Sequence, residues 1–315
     1  MTGSIRFYEA PPIDRELTAE IVREVVSEQF PEFPVATIER LGEGWEHETY
    51  LIDDRVVFRF PRQAGGGDDF GWEEGLHALV ASVIGDMVGI PRITRWGRPS
   101  ARFPYPFAGH DLIPGVAAHD SRAPFNPALA DDIGRVLARL HAIPAEAAAA
   151  AGAGPADPDK SDLNAGLERV RFRVNELPDI RRQCPNPCAW LDSITRVPGA
   201  YRGPPRFIHD DFQPEHVLVS RATGRLSGII DWGGGLGDPA RDFSYMLLLG
   251  GWSFFQRALR AYDLPLDAEF AERTLFSARL GSLDWLGYTI AHGGNTSGDQ
   301  LTVRRVFEKD FQWHR

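Results

Sequence analysis

Two carboxylates and an imidazole in the second half of the chain stand at spacings that could do chemistry. Asp211 and His216 lie in Phe207-Ile208-His209-Asp210-Asp211-Phe212-Gln213-Pro214-Glu215-His216-Val217-Leu218-Val219, and Asp231 follows in Ile229-Ile230-Asp231-Trp232-Gly233. Phe207-Ile208, Val217-Leu218-Val219 and Leu226 to Ile230 read as short strands bounded by Pro214, Gly224 and Gly233. The three polar residues therefore fall at strand ends and loops, where a scaffold can aim them at one point. Phosphoryl transfer needs such equipment: a carboxylate beside the attacking hydroxyl, and oxygen-rich ligands holding Mg²⁺ against nucleotide phosphates.

The elements that must position these residues read as two lobes. Ile21, Val22, Val25 and Val26 recur at helical spacing after Thr18, a candidate N-cap, and Pro31 and Pro34 end the run. Residues 36–62 break into short apolar bursts around Gly42, Gly44 and Asp53-Asp54, as an antiparallel meander would. Helical period returns from Glu73 to about Ile84. A last strand near Phe107 to Ile113 stops at Pro114-Gly115, the expected hinge. Asp131 to His141 is a further helix, with Ile133, Val136, Leu137 and Leu140 on one face. The Ala-, Gly-, Pro- and Asp-rich segment from Ala145 to Asp162 reads as a flexible connection or a frayed helix end. Phe243 to Tyr262 and Asp267 to Tyr288 suggest helices, whose Trp252, Phe254, Phe255, Phe276 and Trp285 are expected to pack them.

Composition excludes several classes. A formal charge of -10 argues against nucleic-acid binding, which needs a concentrated basic face, and is compatible with a cationic small substrate. With 43% hydrophobic and 25% charged residues in 315, the chain reads as an ordinary globular protein. No apolar run approaches a membrane span and no leader is visible, so no membrane partner and a cytoplasmic location are expected. Cys184 and Cys188 lack a second Cys/His pair at zinc-site spacing and are expected to be free thiols.

The order H-x-D-x-x-x-x-(N/H), apolar strand, Asp is that of kinases, and the chain resembles the aminoglycoside and macrolide phosphotransferase family of small-molecule kinases. Leu41 to Leu51 resembles the family's first hairpin and Val56 to Arg62 its third strand. Trp72 to Leu76 resembles the start of the N-lobe helix, and Ile133 to Pro144 the helix opening the C-lobe. Gly237-Asp238-Pro239-Ala240-Arg241-Asp242 resembles the signature after the second aspartate. The motifs run in family order over about residues 15–260.

The resemblance implies an α+β, bilobal protein-kinase-like fold, with a small β-rich lobe over 1–112 and a mainly helical lobe over 113–315. It implies Mg²⁺-dependent transfer of the γ-phosphate of ATP or GTP to a hydroxyl of a small molecule, with an aminoglycoside or macrolide antibiotic first. Choline, homoserine, methylthioribose and fructosamines are acceptors of related kinases. Asp211 takes the place of the catalytic aspartate, which orients the acceptor hydroxyl; His209-x-Asp211 selects it over Asp210. Asp231 takes that of the metal-binding aspartate. His216 stands where most of the superfamily has Asn, and is either a ligand or hydrogen-bonds the phosphate or Asp231 through water. His209 is expected to brace the loop, Asp242 to hold it through backbone N–H groups, and Asp238 to do either that or chemistry.

In the first lobe Arg59 stands where the family commonly has Lys. Its role would be to bind nucleotide phosphates, held there by Glu73. Arg62, after Pro61, is expected to be solvated. Gly42 and Gly44 could let backbone N–H groups approach the phosphates, and the base would meet backbone groups of residues 108–113, including Gly109 and Asp111. Two other readings compete. His209-Asp210 also matches the dipeptide of metal-dependent phosphohydrolases, which would need a helix through His209 and help from His141 or His110. A pseudokinase is the other, opposed by competent residues at 211, 216 and 231.

Overall fold

The structure, a computed structural model, describes residue 14 and residues 16–43, 46–65, 70–120 and 126–308. The chain divides into two compact units. One comprises residues up to Ala81 with Gly89–Pro114; the other comprises Ser82–Val88 and the chain from Gly115 onward. The break at Pro114-Gly115 lies two residues beyond the expected division after residue 112.

In the first unit Thr18 caps α1 (Ala19–Gln29), its hydroxyl accepting from Ile21 N, and Val22, Val25 and Val26 are buried along one face. Three strands follow as an antiparallel meander, β1 (Ile38–Glu43), β2 (His47–Ile52) and β3 (Val56–Pro61). Asp53 and Asp54 turn the chain between β2 and β3 with φ of 52° and 51°, the left-handed pair a tight hairpin demands. After α2 (Phe70–Ile84), β4 (Arg95–Gly97) and β5 (Phe107–Asp111) complete a five-stranded sheet in the order β1-β2-β3-β5-β4.

Alternation along β3 separates two tasks. Val56, Phe58 and Phe60 join Phe103, Phe107 and the apolar face of α1 in the core, with Phe60 stacked on Phe107 at 4.6 Å. Period-2 geometry puts Arg59 on the opposite face. Arg62 departs from expectation: it is 8% exposed, and its backbone bonds Glu46 and Asp14. Closing the strand end over this residue removes it from solvent.

The second unit is mainly helical: β6 (Val116–Ala117), α3 (Ala128–His141), α4 (Ala145–Ala150), β7 (Gly154–Pro155), α5 (Pro158–Ser161), α6 (Leu163–Glu176), α7 (Pro178–Gln183), α8 (Pro185–Ser193), β8 (Arg206–Ile208), β9 (Val217–Val219), β10 (Leu226–Ile229), β11 (Gly235–Gly237), α9 (Ala240–Ala261), α10 (Phe270–Ala291) and α11 (Ser297–Phe307). Its strands form two small sheets, β10-β9-β6 and β7-β11-β8, which frame the loops bearing the polar residues. Cys184 and Cys188 are free and buried, and burial pushes both thiols up. Phe254, Phe255 and Phe276 pack as expected, but Trp285 is 49% exposed and stacks on Tyr288.

The segment 145–162 is ordered rather than a loose connection. Its alanines build α4, Gly152 turns the chain out at φ 104°, and Gly154-Pro155 pairs in parallel with Gly235-Leu236. Composition spoke for flexibility, but strand pairing supplied partners that sequence alone does not show.

Gly134 marks a close helix contact: a Cβ there would stand 2.2 Å from the Ala258 carbonyl oxygen. Gly134→Ala is expected to destabilise the protein by about 1–3 kcal/mol in urea unfolding, because backbone cannot move aside as a side chain can. Helix propensity alone favours Ala by ~1 kcal/mol, so a stabilised variant would contradict the close approach.

Candidate active site

The loop between β8 and β9 carries His209, Asp210 and Asp211. His209 is fully buried and sits 4.5 Å from the Trp232 ring. Its Nε2 donates to Ile230 O at 3.1 Å and its Nδ1 accepts from Asp211 N at 3.2 Å, so the two contacts define one neutral tautomer. Burial lowers its pKa to about 4, against the pull of Asp242. The residue braces the loop, as expected of it. No helix runs through it, and the His141 Nε2 is committed to Asp242, so a phosphohydrolase site has no frame here.

Asp211, His216 and Asp231 converge, each offering one ligand atom, with all three atoms within 4.8 Å of one another; among the described residues this is the one such group of three. His216 Nδ1 donates to the Asp211 carbonyl oxygen at 2.7 Å, which aims Nε2 at Asp231 Oδ2, 3.1 Å away. Burial disfavours the imidazolium, but the hydrogen bond to Asp231 and the charges of Asp231 and Asp211 outweigh it and raise the pKa to about 9. A cation at this point would take the place of that proton. Asp231 has φ 60° and a side chain 62% exposed, so the strained backbone turns its carboxylate outward.

One end of α9 holds this loop at three successive residues. Asp242, wholly buried, accepts from His209 N at 2.9 Å and Asp210 N at 3.1 Å, and from His141 Nε2 at 3.0 Å. Arg241 Nε donates to Asp210 Oδ1 at 2.6 Å and to its carbonyl at 3.0 Å, fixing a residue with φ 67°. Asp210 Oδ2 accepts from Asp157 N at 3.0 Å, tying in the chain beyond β7. Tyr245 reaches Asp211 from the same helix. Asp238 is a brace: its oxygens accept from Arg273 Nε and Nη2 and from Ala240 N. Sequence reasoning missed Tyr245 and Asp157, and gave Arg241 no role beyond its place in the signature. Each acts over more than thirty residues, where spacing carries no signal.

In the first unit Arg59 and Glu73 are brought together, with Nη1 2.5 Å from Oε2. His47 Nδ1 lies 3.3 Å from Arg59 Nη2, and the guanidinium stands 5.5 Å over the Phe70 ring. Gly42 sits at a bulge in β1 with open space about it, and Gly44 lies outside the described residues. Gly109 is explained by packing, since a Cβ would stand 2.6 Å from the Phe58 ring, and its carbonyl accepts from Thr94 N. Asp111 pairs with Arg95 at 2.8 Å.

The profile described as the phosphotransferase enzyme family matches residues 37–279. The GDP and kanamycin complex of APH(2")-IIIa is similar over 91% of this chain and 98% of that one, at 24% identity and a TM-score of 0.68. The apoenzyme of macrolide 2'-phosphotransferase MphH from Brachybacterium faecium is similar over 93% and 100%, at 22% identity and a TM-score of 0.62. These likenesses establish an α+β, kinase-like fold. The uncharacterized protein YcbJ of Bacillus subtilis (strain 168) is 33% identical over 75 residues, a match spanning 24% of this chain and 23% of that protein.

Proposed function

The chain belongs to the phosphotransferase enzyme family, and from that membership we propose that it moves the γ-phosphate of ATP or GTP to a hydroxyl of a small molecule. An aminoglycoside or macrolide is the acceptor class to test first, because the solved neighbours are a kanamycin complex and a macrolide 2'-phosphotransferase. Small amino alcohols are second. The observation that carries the reading is the convergence of Asp211, His216 and Asp231 on one point.

Each residue has a part in it. Asp211 accepts the proton of the acceptor hydroxyl as the acceptor oxygen bonds to the γ-phosphorus. The bond from phosphorus to the bridging β-phosphate oxygen breaks, and the nucleoside diphosphate leaves with that electron pair. Asp231 and His216 would hold Mg²⁺; carboxylate oxygen suits this hard ion, and an imidazole aimed by its other nitrogen is an acceptable companion. When bound, the ion would supply positive charge against the nucleotide phosphates. Arg59 binds phosphate oxygens through its planar fork, oriented by Glu73. The net charge of -10 is compatible with a cationic acceptor.

A nucleotide-consumption screen with Mg²⁺ tests the proposal, using ATP and GTP against panels of aminoglycosides, macrolides and small amino alcohols. Turnover with one panel, dependent on Mg²⁺ and on one or both nucleotides, is the expected result. Absence of any Mg²⁺-nucleotide binding would sink it, and binding without turnover across all panels would favour a pseudokinase.

A further inference from the structure

Asp211 is gripped by two side chains that no part of the phosphotransferase motif announces. Gln213 Nε2 donates to Asp211 Oδ1 at 2.8 Å, and Tyr245 Oη lies 3.4 Å from the same oxygen. Arg241 decides where the tyrosine proton points. Its Nη2 stands 3.1 Å from Tyr245 Oη, and a guanidinium can only donate, so Oη accepts there. A phenol has one proton, which is then directed at Asp211.

Arg241 is itself immobilised, by Asp210 at 2.6 Å and by its own stacking over the Tyr245 ring at 5.7 Å. The order is thus Asp210, Arg241, Tyr245, Asp211, a chain of contacts that begins and ends in one loop. A carboxylate turns about its last torsion in a broad, two-fold well, and a single donor leaves much of that freedom. Two donors on one oxygen, one from the loop and one from α9, remove it. The 3.4 Å contact is long, as such bonds are before an acceptor binds and tightens them.

We propose that Gln213 and Tyr245, the latter aligned by Arg241, are positioning residues that fix the orientation of the Asp211 carboxylate and present Oδ2 to the acceptor hydroxyl. The proposal rests on the reading of Asp211 as the group that takes the acceptor's proton. It adds two residues to the machinery, one in the loop itself and one on α9 beyond the motif residues Arg241 and Asp242.

The test uses the full chain with Mg²⁺ and ATP or GTP, and water as acceptor, comparing wild type with Tyr245→Phe, Gln213→Ala, Gln213→Glu and the Tyr245→Phe/Gln213→Ala pair. Each of the first two is expected to lower kcat about tenfold or more, the range of a hydrogen bond to a charged group, with KM for nucleotide changed less than about twofold. Gln213→Glu replaces a donor by a like charge and should lose more. Crystal structures of wild type and the double variant give a readout independent of turnover: the Asp211 carboxylate is expected to rotate once both donors are gone. Unchanged kcat in both single variants overturns the proposal, as does a rise in KM at constant kcat. A carboxylate that keeps its orientation in the double variant overturns it whatever the kinetics. Asp211→Asn hydrolysing nucleotide at the wild-type rate would overturn the reading beneath it instead, and the crystallographic comparison would still decide the positioning.

Discussion

Asp211→Asn is expected to lower kcat for phosphoryl transfer by about 10²–10⁴-fold while leaving the Kd for Mg²⁺-nucleotide within about twofold. The substitution keeps the size of the side chain and removes its capacity to take a proton. It leaves the loop in place, because the backbone carbonyl of Asp211 still accepts from His216 Nδ1 and its N–H still meets His209. Asp231 and His216 keep their mutual geometry. Isothermal titration with nucleotide, beside steady-state rates with whichever acceptor the screen identifies, separates the two effects. Normal turnover by the variant would take Asp211 out of the chemistry; loss of nucleotide binding would make it a ligand rather than a base.

The largest effect on stability is expected from Asp242→Ala, a loss of about 3–5 kcal/mol, read as a fall in melting temperature on the order of 10 °C. The carboxylate is 0% exposed and receives three donors: two backbone N–H groups of the loop and the His141 ring. Alanine would leave all three buried without an acceptor. The pH dependence has a definite sign. Burial by itself would raise the Asp242 pKa, but the hydrogen bond and charge of His141, with His209, hold it below the ordinary 3.8. A carboxylate with a depressed pKa contributes stability above its unfolded value and gives it up as pH falls through the folded one. Wild type should therefore shed this increment below about pH 3.8, and the alanine variant should have none to shed. Urea unfolding at pH 7 and thermal unfolding through the acid range measure both; a variant as stable as wild type would mean the loop is held by other means.

Legibility in the sequence followed the range of the forces. Short-period features were readable: the valine stripe of α1 with its Thr18 cap, the turn at Asp53-Asp54, and the apolar face of α3. The grouping of residues 211, 216 and 231 was anticipated from their place at strand ends and from the resemblance of their order to the kinase motif, and their ligand atoms do lie within 4.8 Å of one another. What failed to show was decided by distant partners. Tyr245 looks like any aromatic on a packed helix until Asp211, thirty-four positions earlier, is placed beside it. Gly109 drew notice only for its backbone, and that it must be glycine is decided by the Phe58 ring, 2.6 Å from where a Cβ would stand. The alanine- and glycine-rich stretch around Gly154 has the composition of a linker and the hydrogen bonds of a strand.

The contact between Asp210 and Arg241 has a consequence for how this protein can change over generations. Both charges are largely shielded from water, 8% and 15% exposed, so replacing either alone strands the other in a poorly solvated place. Glycine at 210 would relax a backbone at φ 67° yet still remove the carboxylate that balances the guanidinium's charge. Each single step is penalised, whereas exchange of both for an uncharged pair of similar volume can pass nearly unnoticed. Descendants and cousins of this chain should therefore carry the two positions as a linked pair, altered together or not at all.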